Sequence, residues 1–117
     1  MDGEISPEDV QELLTDDEDA PRLVDVRSPM EFQNGHIPEA ENIPLNQIPN
    51  HAQELAEEDH VVTVCASGNR SLQAVRYLEK VADEANAESL RGGVKAWSGE
   101  FERGSPDATA GRSNRLF

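Results

Sequence analysis

Two short apolar runs, each followed within a few residues by a helix start, fix most of what this chain can become. The first is Arg22-Leu23-Val24-Asp25-Val26, with Ser28-Pro29-Met30-Glu31 behind it. The second is His60-Val61-Val62-Thr63-Val64, with a helical pattern opening near Ser71. Neither run shows the strict apolar–polar alternation of a half-exposed strand, so each reads as a strand covered on both faces. Buried strands separated by helices build a parallel sheet with helices on either side. The expected fold class is α/β with a mostly parallel sheet.

The remaining segments fit that frame. Ile5 can lie in a short first strand. Ser6 is a helix N-cap, Pro7 takes the first helical position, and Glu8 and Asp9 sit in the first turn. Ser28 and Glu31 have capping-box spacing, and Gly35 is expected to end that helix in the left-handed conformation. Pro44 keeps Asn42 to Leu45 out of a central strand, leaving a brief extended piece and a turn. Residues 50–58 read as a helix. Leu72, Val75, Leu78 and Ala82 recur at helical spacing over 71–84. Glu88-Ser89-Leu90 is the last strand, and Gly92-Gly93 turns into a short helix over 94–98 that packs Trp97 into the core. One domain over residues 1–103 accounts for all of this. Residues 104–117 are small, polar and aperiodic, and read as a disordered tail.

Charge narrows the partners. Asp and Glu total 24 against 10 Lys and Arg, giving a formal net charge of -14. Such a surface repels phosphodiester backbones and anionic membranes, so nucleic acid and membrane are excluded as partners. Many acids with only two lysines, Lys80 and Lys95, read as a protein of a high-salt cytoplasm, where repulsion is screened within a few ångströms. The N-terminal MDGEISPEDV has no apolar stretch of the signal-peptide kind, and no run approaches membrane-spanning length. The expected location is the cytoplasm. A single cysteine excludes an internal disulfide and a multi-cysteine zinc site, and His36, His51 and His60 lack ligand spacing.

In parallel sheets, sites form at the carboxyl ends of strands. There the chain reads VVTVCASGNRS, residues 61–71, with its only cysteine at the strand end. Ala66, Ser67, Gly68 and Asn69 are small or flexible, so successive N–H groups can turn toward one centre. Gly68 permits a positive φ, and Asn69 tolerates one. The following helix points its positive end at the same place. Cys65 in that position is expected to ionise readily and act as a nucleophile. Arg70 adds a fixed charge with a fork suited to oxyanions. Read alone, the stretch also fits a small buried cysteine at a strand end.

Three segments together carry more. LVDVRSPMEFQNGHIPEAENIPL, Leu23 to Leu45, closely resembles the N-terminal signature of the rhodanese family of sulfurtransferases. CASGNRS resembles that family's active-site loop, and LRGGVKAW, Leu90 to Trp97, its C-terminal signature. The resemblance runs from Ile5 to about Phe101. It implies a single rhodanese-like domain, a three-layer α/β/α sandwich around a five-stranded sheet. It also implies that Cys65 is the nucleophile, passing sulfane sulfur from thiosulfate or a persulfide donor to cyanide or a thiol through a Cys65 persulfide. Ala66, Ser67, Gly68, Asn69, Arg70 and Ser71 would bind the substrate. Asp25, Arg27, His36, Gly92 and Gly93 would support the site, and the chemistry would need no metal or organic cofactor. Many family members carry a basic or aromatic side chain just after the cysteine, and this chain has Ala66 there, which removes one donor contact.

Rival readings share parts of this pattern. A phosphatase or arsenate reductase on the same fold uses C-x5-R, one residue longer, whereas Cys65 and Arg70 are spaced C-x4-R. A persulfide at Cys65 would serve equally as a relay that hands sulfur to a partner protein in cofactor or tRNA thiolation.

Overall fold

The structure, a computed structural model, describes residues 3–16 and 18–104. The tail read over 104–117 therefore lies, from residue 105 on, outside the described residues. The elements run β1 (Glu4–Ile5), α1 (Pro7–Leu14), β2 (Arg22–Asp25), α2 (Pro29–Asn34), β3 (Glu41–Asn42), α3 (Ile48–Ala56), β4 (Val61–Val64), α4 (Asn69–Val81) and β5 (Ala87–Leu90). Short 3-10 turns occupy Leu45–Gln47 and Gly93–Ala96. The five strands form one sheet in the order β1-β5-β4-β2-β3, and every pairing is parallel.

The period-2 alternation of strand side chains divides the core in two. Val24, Val61, Cys65 and Ala87 face Ala52, Leu55, Ala74 and Leu78, so α3 and α4 cover that side. Leu23, Val62, Val64 and Leu90 face Val10, Phe32 and Trp97, so α1, α2 and the second 3-10 turn cover the other. The result is a three-layer α/β/α sandwich. β2, β4 and β5 lie in the interior of the sheet, whereas the two-residue β3 takes the edge, where a nearby proline does least harm.

The helix starts follow local chemistry. Ser6 Oγ accepts from Asp9 N, and Ser28 and Glu31 form a complete capping box. Several boundaries differ from expectation. Gly35 leaves α2 in an extended conformation (φ 159°, ψ 128°), not the left-handed one, because the chain runs on to pair His36 with Glu102. α3 begins at Ile48, with Pro49 inside its first turn, where its missing N–H costs nothing. α4 begins two residues before Ser71 and stops at Val81, so Asn69 is helical and has no positive φ. The segment carrying Trp97 is a 3-10 turn that ends before the indole, which is buried in the core.

Candidate active site

The cysteine loop joins β4 to α4 at the carboxyl edge of the sheet. Val61, Thr63 and Cys65 project to one face, so the strand delivers the sulfur beneath the start of α4. Gly68 makes the turn at φ 109° and serves as the helix N-cap. Its N–H lies 3.0 Å from Cys65 Sγ, and Ser71 Oγ lies 3.4 Å from the same atom. The sulfur is buried. Burial is the largest single influence on its ionisation and opposes it. The Ser71 hydroxyl and the N–H groups of Ser71, Gly68 and Ser67 together outweigh that cost, leaving the thiol below its ordinary pKa.

The loop backbone is clamped from the other side. Val94 N–H donates to Cys65 O (2.9 Å) and Lys95 N–H to Ala66 O (3.1 Å). This approach requires Gly93, at φ 65°, because a Cβ there would fall on the Cys65 and Ala66 carbonyl groups. Gly92 turns the chain at φ 77° and packs against Gly68. Gly92 and Gly93 are thus brought directly against the cysteine loop.

Asp25 and Arg27 sit at the end of the neighbouring strand, both buried. Arg27 Nε and Nη2 grip the Asp25 carboxylate at 2.8–3.1 Å, and Nη2 also donates to Gly35 O at 2.7 Å. Asn42 Nδ2 donates to the carbonyls of both Asp25 and Arg27 at 3.0 Å. These bonds fix the turn from β2 to α2. That turn places Glu31 against Arg70, whose two terminal nitrogens contact the carboxylate at 2.9 and 3.0 Å. Arg70 also forms one wall of an open cleft of about 600 Å³ lined by Val26, Pro29, Pro44, Leu45 and Gln47, among others.

His36 is placed elsewhere. Its ring stacks on Phe32 with centroids 3.6 Å apart, its Nδ1 lies 2.7 Å from Phe32 O, and its Nε2 faces Glu102 at 3.8 Å. Its neighbour Gly35 accepts from Arg27, which is the link between this histidine and the Asp25–Arg27 turn. Among the described residues, no group of three or more His, Cys, Asp or Glu side chains is placed to hold a metal ion, and no helix is long and apolar enough to cross a membrane.

Residues 6–100 match the rhodanese-like domain family. The chain belongs to that family. A sulfurtransferase of Allochromatium vinosum is 40% identical over 98 residues, which span 84% of this chain and 90% of that protein. The rhodanese-like domain protein of Staphylococcus aureus superposes with a TM-score of 0.75 at 32% identity, covering 87% of this chain and 98% of that one. The adenylyltransferase and sulfurtransferase uba4 of Ogataea parapolymorpha is 33% identical over 88 residues, which span 74% of this chain and 22% of that protein.

The rhodanese-like site includes residues that sequence reading missed. Thr63 and Ser89 are fully buried beside the sulfur and bond Ser71, itself an expected loop residue: Thr63 Oγ1 donates to the Ser71 carbonyl, and Ser89 Oγ lies 2.6 Å from Ser71 Oγ. Thr63 stands two residues before Cys65, and Ser89 pairs with Thr63 in register. A hydroxyl on the cysteine's face of an otherwise apolar buried strand is the signal that could have found them. Asn42 had no such signal, and neither did the bond from Arg70 to Glu31, since these contacts arise only through the tertiary fold.

Proposed function

We propose that this protein is a sulfurtransferase that works through a Cys65 persulfide. The observation that carries the reading is the set of donors converging on one buried sulfur: the amides of Ser67, Gly68 and Ser71 and the Ser71 hydroxyl. They favour the anionic nucleophile, and the same convergence suits the anionic persulfide. In the first step the Cys65 thiolate attacks the outer sulfur of the donor. With thiosulfate, the S–S bond breaks and sulfite leaves with the electron pair. In the second step a thiolate or cyanide attacks the outer sulfur of the persulfide, and the Cys65 thiolate is released. Ala66, Asn69 and Arg70 complete the rim, and Gly92 and Gly93 hold the loop.

Two observations favour a protein-bound persulfide as donor, the relay form of this reading. Ala66 offers no side-chain donor, and the Arg70 fork is occupied by Glu31. A phosphatase or arsenate reductase fits less well, because the C-x4-R spacing leaves a smaller ring of amides than their C-x5-R loop.

Mass spectrometry of the intact protein tests this. Incubation with thiosulfate is expected to add one sulfur to the wild type and none to Cys65→Ser. Loading from a cysteine-desulfurase persulfide but not from thiosulfate would select the relay form. No sulfur gained from either donor would overturn the proposal.

A further inference from the structure

The Ser71 hydroxyl stands between two partners. Its oxygen lies 3.4 Å from Cys65 Sγ and 2.6 Å from Ser89 Oγ. A serine hydroxyl has one proton to give. A thiolate only accepts, so bonding the ionised sulfur requires the Ser71 proton to point at Sγ. The Ser71 oxygen must then accept from Ser89, whose own proton has to point at Ser71. With a neutral thiol the chain can run the other way, from S–H to Ser71 to Ser89. Ionisation of Cys65 therefore sets the direction of two buried hydroxyls.

We propose that Ser89 is a positioning residue of this site: its hydroxyl donates to Ser71 Oγ and turns the Ser71 proton toward the anionic sulfur. The Ser89 hydroxyl meets Ser71 Oγ and lies outside the lining of the open cleft, so it acts through Ser71. Its place is rigid. Ser89 lies on β5 between β1 and β4, in register with Glu4 on one side and Thr63 on the other, and its N–H donates to Gly3 O. Thr63 Oγ1 donates to the Ser71 carbonyl at 2.8 Å and fixes the other end of the link. Thr63, Ser71 and Ser89 are all fully buried, so bulk water does not substitute for a lost hydroxyl. Donation from Ser89 also polarises the Ser71 O–H, strengthening its bond to the thiolate. The lowering of the Cys65 pKa, to which the Ser71 hydroxyl contributes, is in keeping with this arrangement.

The inference rests on Cys65 being the reacting group, but its test does not depend on sulfur transfer. The ultraviolet absorbance of the thiolate is followed against pH in the whole protein, with Cys65→Ser as the blank. Ser89→Ala is expected to move the midpoint upward, so that the thiolate-to-thiol ratio at a fixed pH below it falls about three- to tenfold. Ser71→Ala is expected to move it further, and adding Ser89→Ala to that variant is expected to change nothing more. A role for Ser89 in packing alone would alter the melting temperature and leave the midpoint in place. An unchanged midpoint in Ser89→Ala, or an equal shift in the Ser71→Ala background, would overturn the proposal. A second measurement needs no variant to fold: the buried Ser89 hydroxyl proton, observed by NMR in the wild type, should shift as Cys65 ionises, and a resonance indifferent to that titration would also refute it. Failure of the wild type to load sulfur would count against the persulfide reading and leave these titrations untouched.

Discussion

Arg70 forks onto Glu31, one nitrogen to each carboxylate oxygen, across the gap between α4 and α2. The pair joins the helix that caps the cysteine loop to the helix that follows the Asp25–Arg27 turn. Arg70, and after it the Ser28 cap, hold the Glu31 carboxyl down to about 2. The guanidinium that could receive a donor's oxyanion is therefore already occupied.

Glu31→Gln should free that fork and still cap α2, since glutamine serves at the same capping position. The expected result is a KM for thiosulfate lowered about threefold, read by steady-state kinetics on a freed charge-assisted contact. A raised KM would mean that Glu31 positions Arg70 and does not compete for it. Both side chains are more than a third exposed, so the stability lost should stay within about 1 kcal/mol. Because the folded carboxyl is depressed, the pair's contribution is complete above the ordinary value of 4.5 and disappears as pH falls through about 2.

The pH profile of sulfur transfer should follow the thiolate. Cys65 is held below its ordinary value, so the rate is expected to persist to lower pH than a free thiol near 8.5 would allow, and to fall on further acidification. Stability changes in the same direction, the thiolate's contribution being complete above the unfolded thiol's pKa and lost as pH falls through the folded one. A rate that rises on acidification through neutrality would show that some other group limits the reaction.

Gly93→Ala should be among the most damaging single-methyl changes in the chain. The added Cβ meets the backbone of Cys65 and Ala66, which cannot rotate away, and the positive φ adds strain. A loss of roughly 2 kcal/mol or more, together with a collapse of sulfur loading, is expected from thermal unfolding and mass spectrometry. A variant with wild-type melting and loading would show that the clamp can move aside.

Salt should help this protein capture an anion. With a net charge of -14, long-range repulsion slows the approach of thiosulfate in dilute buffer. The expected outcome is a kcat/KM that climbs from low to moderate salt, as screening shortens the reach of that repulsion. A flat or falling profile would sink the argument, and a refolding series in salt would show whether the fold shares the dependence.

Legibility from sequence followed locality. The run at 60–64 gave away its strand because β-branched residues fill both faces, the run at 22–26 because it lacks strict apolar–polar alternation, and Ser6 and Ser28 marked their helices through side chains that bond three residues on. The nest around Cys65 was readable for the same reason, being built from seven consecutive residues. Gly35 and Trp97 were harder, because their conformations are set by the strap from Glu102 and by the clamp on Ala66, not by neighbours in the chain. The partners of Arg70 and Ser71 lie 39 and 18 residues away, and only the sheet order brings them together.

The hydrogen bonds from Val94 and Lys95 to the carbonyls of Cys65 and Ala66 have a consequence for how the site comes into being. The residues that steady the cysteine loop, with Ser89 just before them, belong to β5 and the turn beyond it, some of the last described parts of the chain to leave the ribosome. β5 enters between β1 and β4, not at an edge. A nascent chain that has made Cys65 but not yet Gly93 has the cysteine loop without the clamp on its backbone. The clamp on the cysteine loop is thus a property of the finished sheet.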